Sequence, residues 1–215
     1  MTTLSIDIIS DIACPWCAIG YGRLREALDA SSEIDAEISW RAFELNPDPD
    51  AVREPIGPAL AKKYNMSEQQ VDETQQQMKD AAHALGINFD NMDSRYTCNT
   101  FDAHRLVKWS AQFEKQTPMK LALFDAYFGH AQSVDEKDVL LSCAESAGLD
   151  RNEAQSVLES DDYAQAVRDE EKLWQQAGIS SVPAFVINQK YLISGAQESD
   201  ALVKALSDIA IKESV

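Results

Sequence analysis

The sequence predicts an α/β protein in which one small sheet, flanked by helices, is interrupted by a long helical insertion. Three observations carry this. Alternating apolar residues open the chain and give way at once to helical spacing. The middle of the chain shows helix signals and no strand signal of comparable length. Near the C-terminus the apolar period shortens again to that of strands. The 215 residues suit one large domain or one domain carrying an insertion.

The elements follow in order. Leu4, Ile6 and Ile8 alternate with Ser5 and Asp7, which predicts a first strand running from Leu4 to Ile12. Cys14-Pro15-Trp16-Cys17 comes next, and Ile19, Leu24, Ala27 and Leu28 then recur at helical spacing. A second strand is predicted from Ile34 to Leu45, with Ile38, Trp40 and Ala42 on one face. Pro47, Pro49, Pro55 and Pro58 mark a connector, because proline fixes φ and removes a backbone donor.

Helical signals then run to Gly178. Ser67 with Gln70 forms a capping-box pattern, and Thr117-Pro118 reads as an N-cap followed by proline at the first helical position. Leu85-Gly86-Ile87, Ala147-Gly148-Leu149 and Ala177-Gly178-Ile179 each read as a helix end. Phe101, Leu106 and Trp109 suggest one apolar helix face; Leu121, Phe124 and Phe128 suggest another. Asp161, Asp162, Asp169, Glu170 and Glu171 read as a solvated helix surface. Ala184 to Asn188 and Tyr191 to Ser194 form a predicted hairpin, and Leu202, Val203, Leu206 and Ile209 a closing helix. The expected division is residues 1–50 and 178–215 for the sheet domain and 51–177 for the helical insertion.

Composition narrows the function classes. The formal charge of −17 disfavours nucleic-acid and anionic-membrane partners, and no run of Lys or Arg offsets it. No stretch is long and apolar enough to span a bilayer, and the first residues lack a basic segment followed by an apolar one. A cytoplasmic location is therefore expected. Structural disulfides are rare there, so four cysteines point to catalysis, metal binding or burial.

A C-x-x-C pair at the start of a helix has a chemical logic. The first turn leaves backbone N–H groups unpaired and carries partial positive charge, which favours a thiolate. Cysteines three apart share a helix face and can close a small disulfide ring. Cys14, nearer the helix end, is the expected nucleophile, and Cys17, a turn deeper, the resolving thiol. Pro15 suits the first turn, and Trp16 offers apolar contact to a substrate. Zinc would need a second ligand pair, and neither Cys98 nor Cys143 has a partner at such spacing.

Cys14-Pro15-Trp16-Cys17 after a strand, with Ser181-Val182-Pro183-Ala184-Phe185 far downstream, resembles the DsbA-like branch of the thioredoxin superfamily. Ser10-Asp11, Asn99-Thr100 with Ala103-His104-Arg105, and Ser194-Gly195-Ala196-Gln197 resemble its cytosolic FrnE-type members. The resemblance implies a thioredoxin fold interrupted by a helical domain. It also implies thiol–disulfide exchange on a protein or glutathione disulfide, and a cis Val182–Pro183 bond that positions the substrate. Many relatives carry an acid under the active site where this chain has Ile8, so the proton acceptor for Cys17 is open among Asp11, His104 and water.

No metal and no bound organic cofactor are implied; glutathione or another dithiol is the expected redox partner. Gly195, Ala196 and Gln197 precede the last helix, where backbone N–H groups suit a carboxylate, although a plain strand-to-helix turn is the simpler reading. Asn99, Asp11 and His104 are candidates for supporting the site, and for His104 a purely structural role stays open. Cys98 is a candidate third redox thiol, Cys143 a buried apolar group, and His83 and His130 surface or packing residues. The competing functions are a glutathione-dependent isomerase or transferase on the same scaffold, whose relatives commonly carry serine at the position of Cys14, and a peptide-binding or chaperone module.

Overall fold

Alternation in the first residues produces a strand whose two faces are both covered. In the computed structural model, which describes residues 2–213, β1 spans Thr2–Ser10 and α1 spans Pro15–Asp29. β2 spans Ile34–Ala42 and pairs in parallel with β1, so that Ile8 stands opposite Trp40. A parallel pair needs a crossover connection, and α1 supplies it. Both strands stop earlier than the sequence suggests. After Ser10 the Asp11 side chain accepts the Ala13 N–H and turns the chain, and at Ala42 the backbone N–H donates to Glu170.

Helices fill the path to the next strand: α2 (Ile56–Tyr64), α3 (Glu68–Ala84), α4 (Phe101–Ser110), α5 (Gln116–Phe124), α6 (Lys137–Ser146), α7 (Arg151–Glu159) and α8 (Ala164–Gln176). Among the described residues, the only β-pairing in this stretch is one isolated bridge between Pro55 and Tyr96. Ser67 caps α3 in the expected reciprocal box with Gln70. Gly86, Gly148 and Gly178 have φ of +70°, +76° and +85°, the left-handed region where a Cβ is penalised. At each, the following apolar N–H bonds back five residues, as in Ile87 to Ala82, which closes the helix end.

Two sequence expectations shift here. α5 begins at Gln116, before Thr117, so Pro118 lies inside the first turn and needs no capping hydroxyl; the Thr117 hydroxyl instead accepts the Trp40 indole N–H at 2.9 Å. The apolar face of α5 is Met119, Leu123 and Phe124, whereas Leu121 is exposed, and Phe128 lies buried in a separate five-residue π-type turn at Asp125–Gly129.

β3 (Ala184–Ile187) and β4 (Tyr191–Ser194) form the expected hairpin, and α9 (Ser199–Glu213) closes the fold. β3 runs antiparallel to β1, giving a sheet order β2-β1-β3-β4. One continuous apolar cluster joins Ile6, Ile8, Trp40 and Phe185 of the sheet to Leu106, Met119, Leu123 and Phe124 of the helices. A smaller cluster of Ile9, Phe43, Ile179 and Ala184 covers the other sheet face. No described helix is long and apolar enough to cross a membrane.

Candidate active site

The site is assembled where β1 ends. The Cys14 N–H donates to the Asp11 carbonyl at 3.3 Å, which places Cys14 at the N-cap of α1 with Pro15 in its first turn. The Cys17 N–H donates to the Cys14 carbonyl at 3.0 Å, closing that turn. Both thiols are free. Cys14 is 5% exposed and Cys17 is 0% exposed, so an incoming molecule meets Cys14 first. Trp16 between them is exposed. Burial pushes the Cys17 thiol well above its ordinary range, and the neighbouring Cys14 adds to this. Lys120 and the Asp11 N–H act in the opposite sense.

The C-terminal segment completes the other wall. The Val182–Pro183 bond is cis, and the Cys14 thiol points to the Val182 carbonyl at 3.7 Å. Gly20 permits this approach: a Cβ there would stand 3.1 Å from the Pro183 ring and 3.4 Å from Ala196. The Gly195 N–H donates to the Pro183 carbonyl at 2.8 Å, and the Gln197 N–H donates to the Gly195 carbonyl at 3.0 Å. The Ala196 carbonyl accepts from Arg23 at 2.6 Å, and the Gln197 amide donates to Ser194. Gly195 and Gln197 thus spend their backbone N–H groups inside the protein, as in a strand-to-helix turn.

Beneath the pair lies a buried polar cluster. Asp11 is 1% exposed; its carboxylate accepts the Ala13 N–H at 3.2 Å and the Leu45 N–H at 2.7 Å. Burial alone would raise its pKa, but His104, the Leu45 N–H and Lys120 outweigh that and hold it below the ordinary value. His104, on α4, is equally buried, with Nε2 at 3.4 Å from Asp11 but not aligned for a strong hydrogen bond. Burial lowers the His104 pKa in spite of Asp11, so the imidazole is neutral at neutral pH. Asn99 stands one step back: its side chain accepts the Phe101 N–H at 2.8 Å and secures the start of the helix that carries His104.

Lys120 on α5 is the residue that sequence reasoning missed. It is fully buried, and its Nζ lies 5.4 Å from the ring centroids of Trp40 and Phe124 with no hydrogen-bond partner. Burial lowers its pKa to about 8, opposed by Cys17, Asp11 and Cys14. The available signal was its spacing to Leu123 and Phe124, which puts a cation on the apolar stripe. Glu170 and Glu171 correct the reading of α8 as a solvated acidic surface. Both are buried; Glu170 binds Arg41, Lys108 and the Ala42 N–H, and Glu171 shares Arg168 with Glu44.

The remaining cysteines and histidines stand apart. Burial pushes the Cys98 and Cys143 thiols up to about 12, which leaves little thiolate for exchange at neutral pH. His83 and His130 lie on the surface beside Asp90 and Asp125. Among the described residues, no three His, Cys, Asp or Glu side chains gather to hold a metal ion.

The profile of the DSBA-like thioredoxin domain matches residues 5–207. The chain belongs to this family. A Bacillus subtilis member, Uncharacterized protein YwbO, is 31% identical over 210 residues, covering 96% of this chain and 97% of its own. The crystal structure of a probable DsbA oxidoreductase from Streptomyces coelicolor superposes with a TM-score of 0.90 at 32% identity, covering 98% of this chain and 91% of that one. The cytosolic disulfide reductase DsbM from Pseudomonas aeruginosa, solved with glutathione, shares the fold at a TM-score of 0.63 and 14% identity, covering 95% and 98% of the two chains. Within the DSBA-like frame, Cys14, Cys17 and Pro183 come together from opposite ends of the chain, and the apolar Ile8 lies fully buried in β1.

Proposed function

We propose that this DSBA-like domain is a thiol–disulfide oxidoreductase in which Cys14 forms the mixed disulfide and Cys17 resolves it. The observation that carries this reading is the placement of Cys14. It caps α1, is the more accessible thiol, and faces the Val182 carbonyl across the cleft. The unpaired N–H groups of the first helical turn favour negative charge there. Val182 and Trp16 flank the sulfur and offer backbone and apolar contact to an extended substrate.

The exchange balances without a further reagent. The Cys14 thiolate attacks one sulfur of a substrate disulfide; a Cys14–substrate bond forms and the first substrate thiol leaves. Cys17 then attacks the Cys14 sulfur, forming the Cys14–Cys17 disulfide and releasing the second substrate thiol. The two substrate sulfurs are reduced and the two cysteines oxidised, and the thiol protons end on the released thiols. Reversal oxidises a dithiol. Protein disulfides and glutathione disulfide are the substrate class, and a glutathione or dithiol pool in the cytoplasm is the partner that resets the pair. The DsbM likeness supports glutathione in that role.

The test is equilibration of the purified protein against glutathione buffers of graded poise, read by thiol alkylation and mass. Cys14 and Cys17 should titrate together as one two-electron couple. Cys14→Ser should abolish it, whereas Cys98→Ser and Cys143→Ser should leave it in place. A potential near about −270 mV marks a reductant and one near about −120 mV an oxidant. A Cys14–Cys17 pair that never changes state across the series overturns the proposal.

A further inference from the structure

We infer that Arg23 is a positioning residue for substrate binding: from α1 it braces the Gly195–Gln197 turn and, through that turn, the Val182–Pro183 wall that faces Cys14. The inference rests on the oxidoreductase reading and adds a residue to it. Cys17, Gly20 and Arg23 stand three apart and so share one face of α1. Cys17 is the buried thiol on that face, Gly20 lets the wall approach, and Arg23 ties the wall down. A Cβ at Gly20 would stand 3.1 Å from the Pro183 ring and 3.4 Å from the Ala196 methyl, so the wall and the turn meet α1 at one point. One helical turn further on, Arg23 donates from Nη1 to the Ala196 carbonyl at 2.6 Å and pairs through Nη2 with Glu198 at 2.7 Å.

The path from that brace to the sulfur is short and continuous. Ala196 follows Gly195, whose N–H donates to the Pro183 carbonyl at 2.8 Å. Pro183 follows Val182, whose carbonyl stands 3.7 Å from Cys14 Sγ. β1 holds β3 only as far as Ala184, which pairs with Ile9. Val182 and Pro183 lie beyond that last pair, and the bond from Gly195 carries the β3–β4 hairpin on to the site.

The two contacts of Arg23 are unequal. The Glu198 side chain is 76% exposed, and an ion pair open to water contributes little. The Arg23 side chain is 15% exposed, and its bond to the Ala196 carbonyl is charge-assisted and part-buried, which makes it the stronger and more directional of the two. Arg23 touches neither sulfur. It sets where the Val182 backbone stands when an extended chain lies along it, and so acts on binding rather than on the exchange step.

Arg23→Met keeps an apolar stem on α1 and removes both contacts. In single-turnover oxidation of the reduced protein by a short peptide holding one internal disulfide, half-saturation should need about tenfold more peptide, while the limiting rate stays within about twofold. Alkylation of Cys14 by iodoacetamide, a reagent that needs no wall, should stay within about twofold across pH. Arg23→Lys keeps a charged donor for the Ala196 carbonyl and should restore half-saturation to within about threefold. Ser199→Ala cuts a different bond between α1 and α9, from the Ser199 hydroxyl to Glu26 at 2.7 Å, and should leave half-saturation unchanged. A merely structural arginine would not separate half-saturation from rate in this way. Arg23→Gln read by the same measurements serves if the Met variant fails to fold. Unchanged half-saturation in the folded variant overturns the inference, and so does an equal rise in Ser199→Ala. A wild-type protein without any exchange would instead defeat the oxidoreductase reading. Calorimetric binding of the same peptide with its cysteines methylated, about tenfold weaker in Arg23→Met, would then still decide the role of Arg23.

Discussion

Cys17 presents no surface to water, yet its proton must leave before it can resolve a mixed disulfide. Two buried side chains, Asp11 and the His104 beside it, are the candidates to take it. Asp11 is held ionised by backbone N–H groups and by the charges around it, so it orients more than it accepts. His104 is neutral, with one ring nitrogen free to take a proton, and is the acceptor we propose. His104→Ala should slow resolution about tenfold while leaving the first attack by Cys14 within about twofold. Asp11→Asn should have the smaller kinetic effect and cost about 1–2 kcal/mol of stability, because the acceptor of the Leu45 N–H is weakened. Stopped-flow resolution of a Cys14–glutathione adduct and urea unfolding measure the two.

The sign of the pH effect follows from His104. A base whose pKa lies below 6.5 keeps its accepting form as pH falls through that value. Resolution should therefore show no inflection at pH 6.5. Near-wild-type rates in both variants would leave water as the acceptor. At this scale the sequence shows the residues whose meaning is local. Cys14, Pro15 and Cys17 announce themselves through spacing and a helix start. Lys120 does not, because its burial depends on α5 crossing Trp40 of β2, a neighbour 80 positions away in the chain.

Elements were legible wherever the signal was a repeated local rule. The capping box at Ser67 and the three glycine helix ends stand where the spacing predicts them. Boundaries set by long-range partners did not follow the pattern. β2 stops at Ala42, whose own N–H donates to Glu170, and α5 starts early because Thr117 is engaged by Trp40. The acidic stretch of α8 misled for the same reason: a carboxylate reads as solvated until Arg41 and Lys108 are known to meet it. Glu170 ties three elements, since it binds Arg41 and the Ala42 N–H of β2 and Lys108 of α4. Glu170→Ala should cost about 3 kcal/mol in chemical unfolding, because it leaves a buried N–H and two partly buried cations without their acceptor. A cost under about 1 kcal/mol would mean that water replaces the carboxylate.

At the scale of the whole molecule, the order of elements was the most readable feature. Strand pairs at both ends of the chain complete one sheet, and the intervening helices bring His104 to within 3.4 Å of Asp11, whose carbonyl accepts the Cys14 N–H. The formal charge of −17 described the surface and said nothing of the site, where the isolated buried charge is a cation. The central claim is that the two cysteines have unlike roles fixed by their place on α1. The most direct test is trapping with a disulfide substrate such as glutathione disulfide, followed by peptide mass mapping. Cys17→Ser should accumulate one covalent adduct on Cys14 and stall there, and Cys14→Ser should accumulate none. An adduct on Cys17, or turnover that survives Cys14→Ser, would contradict the account.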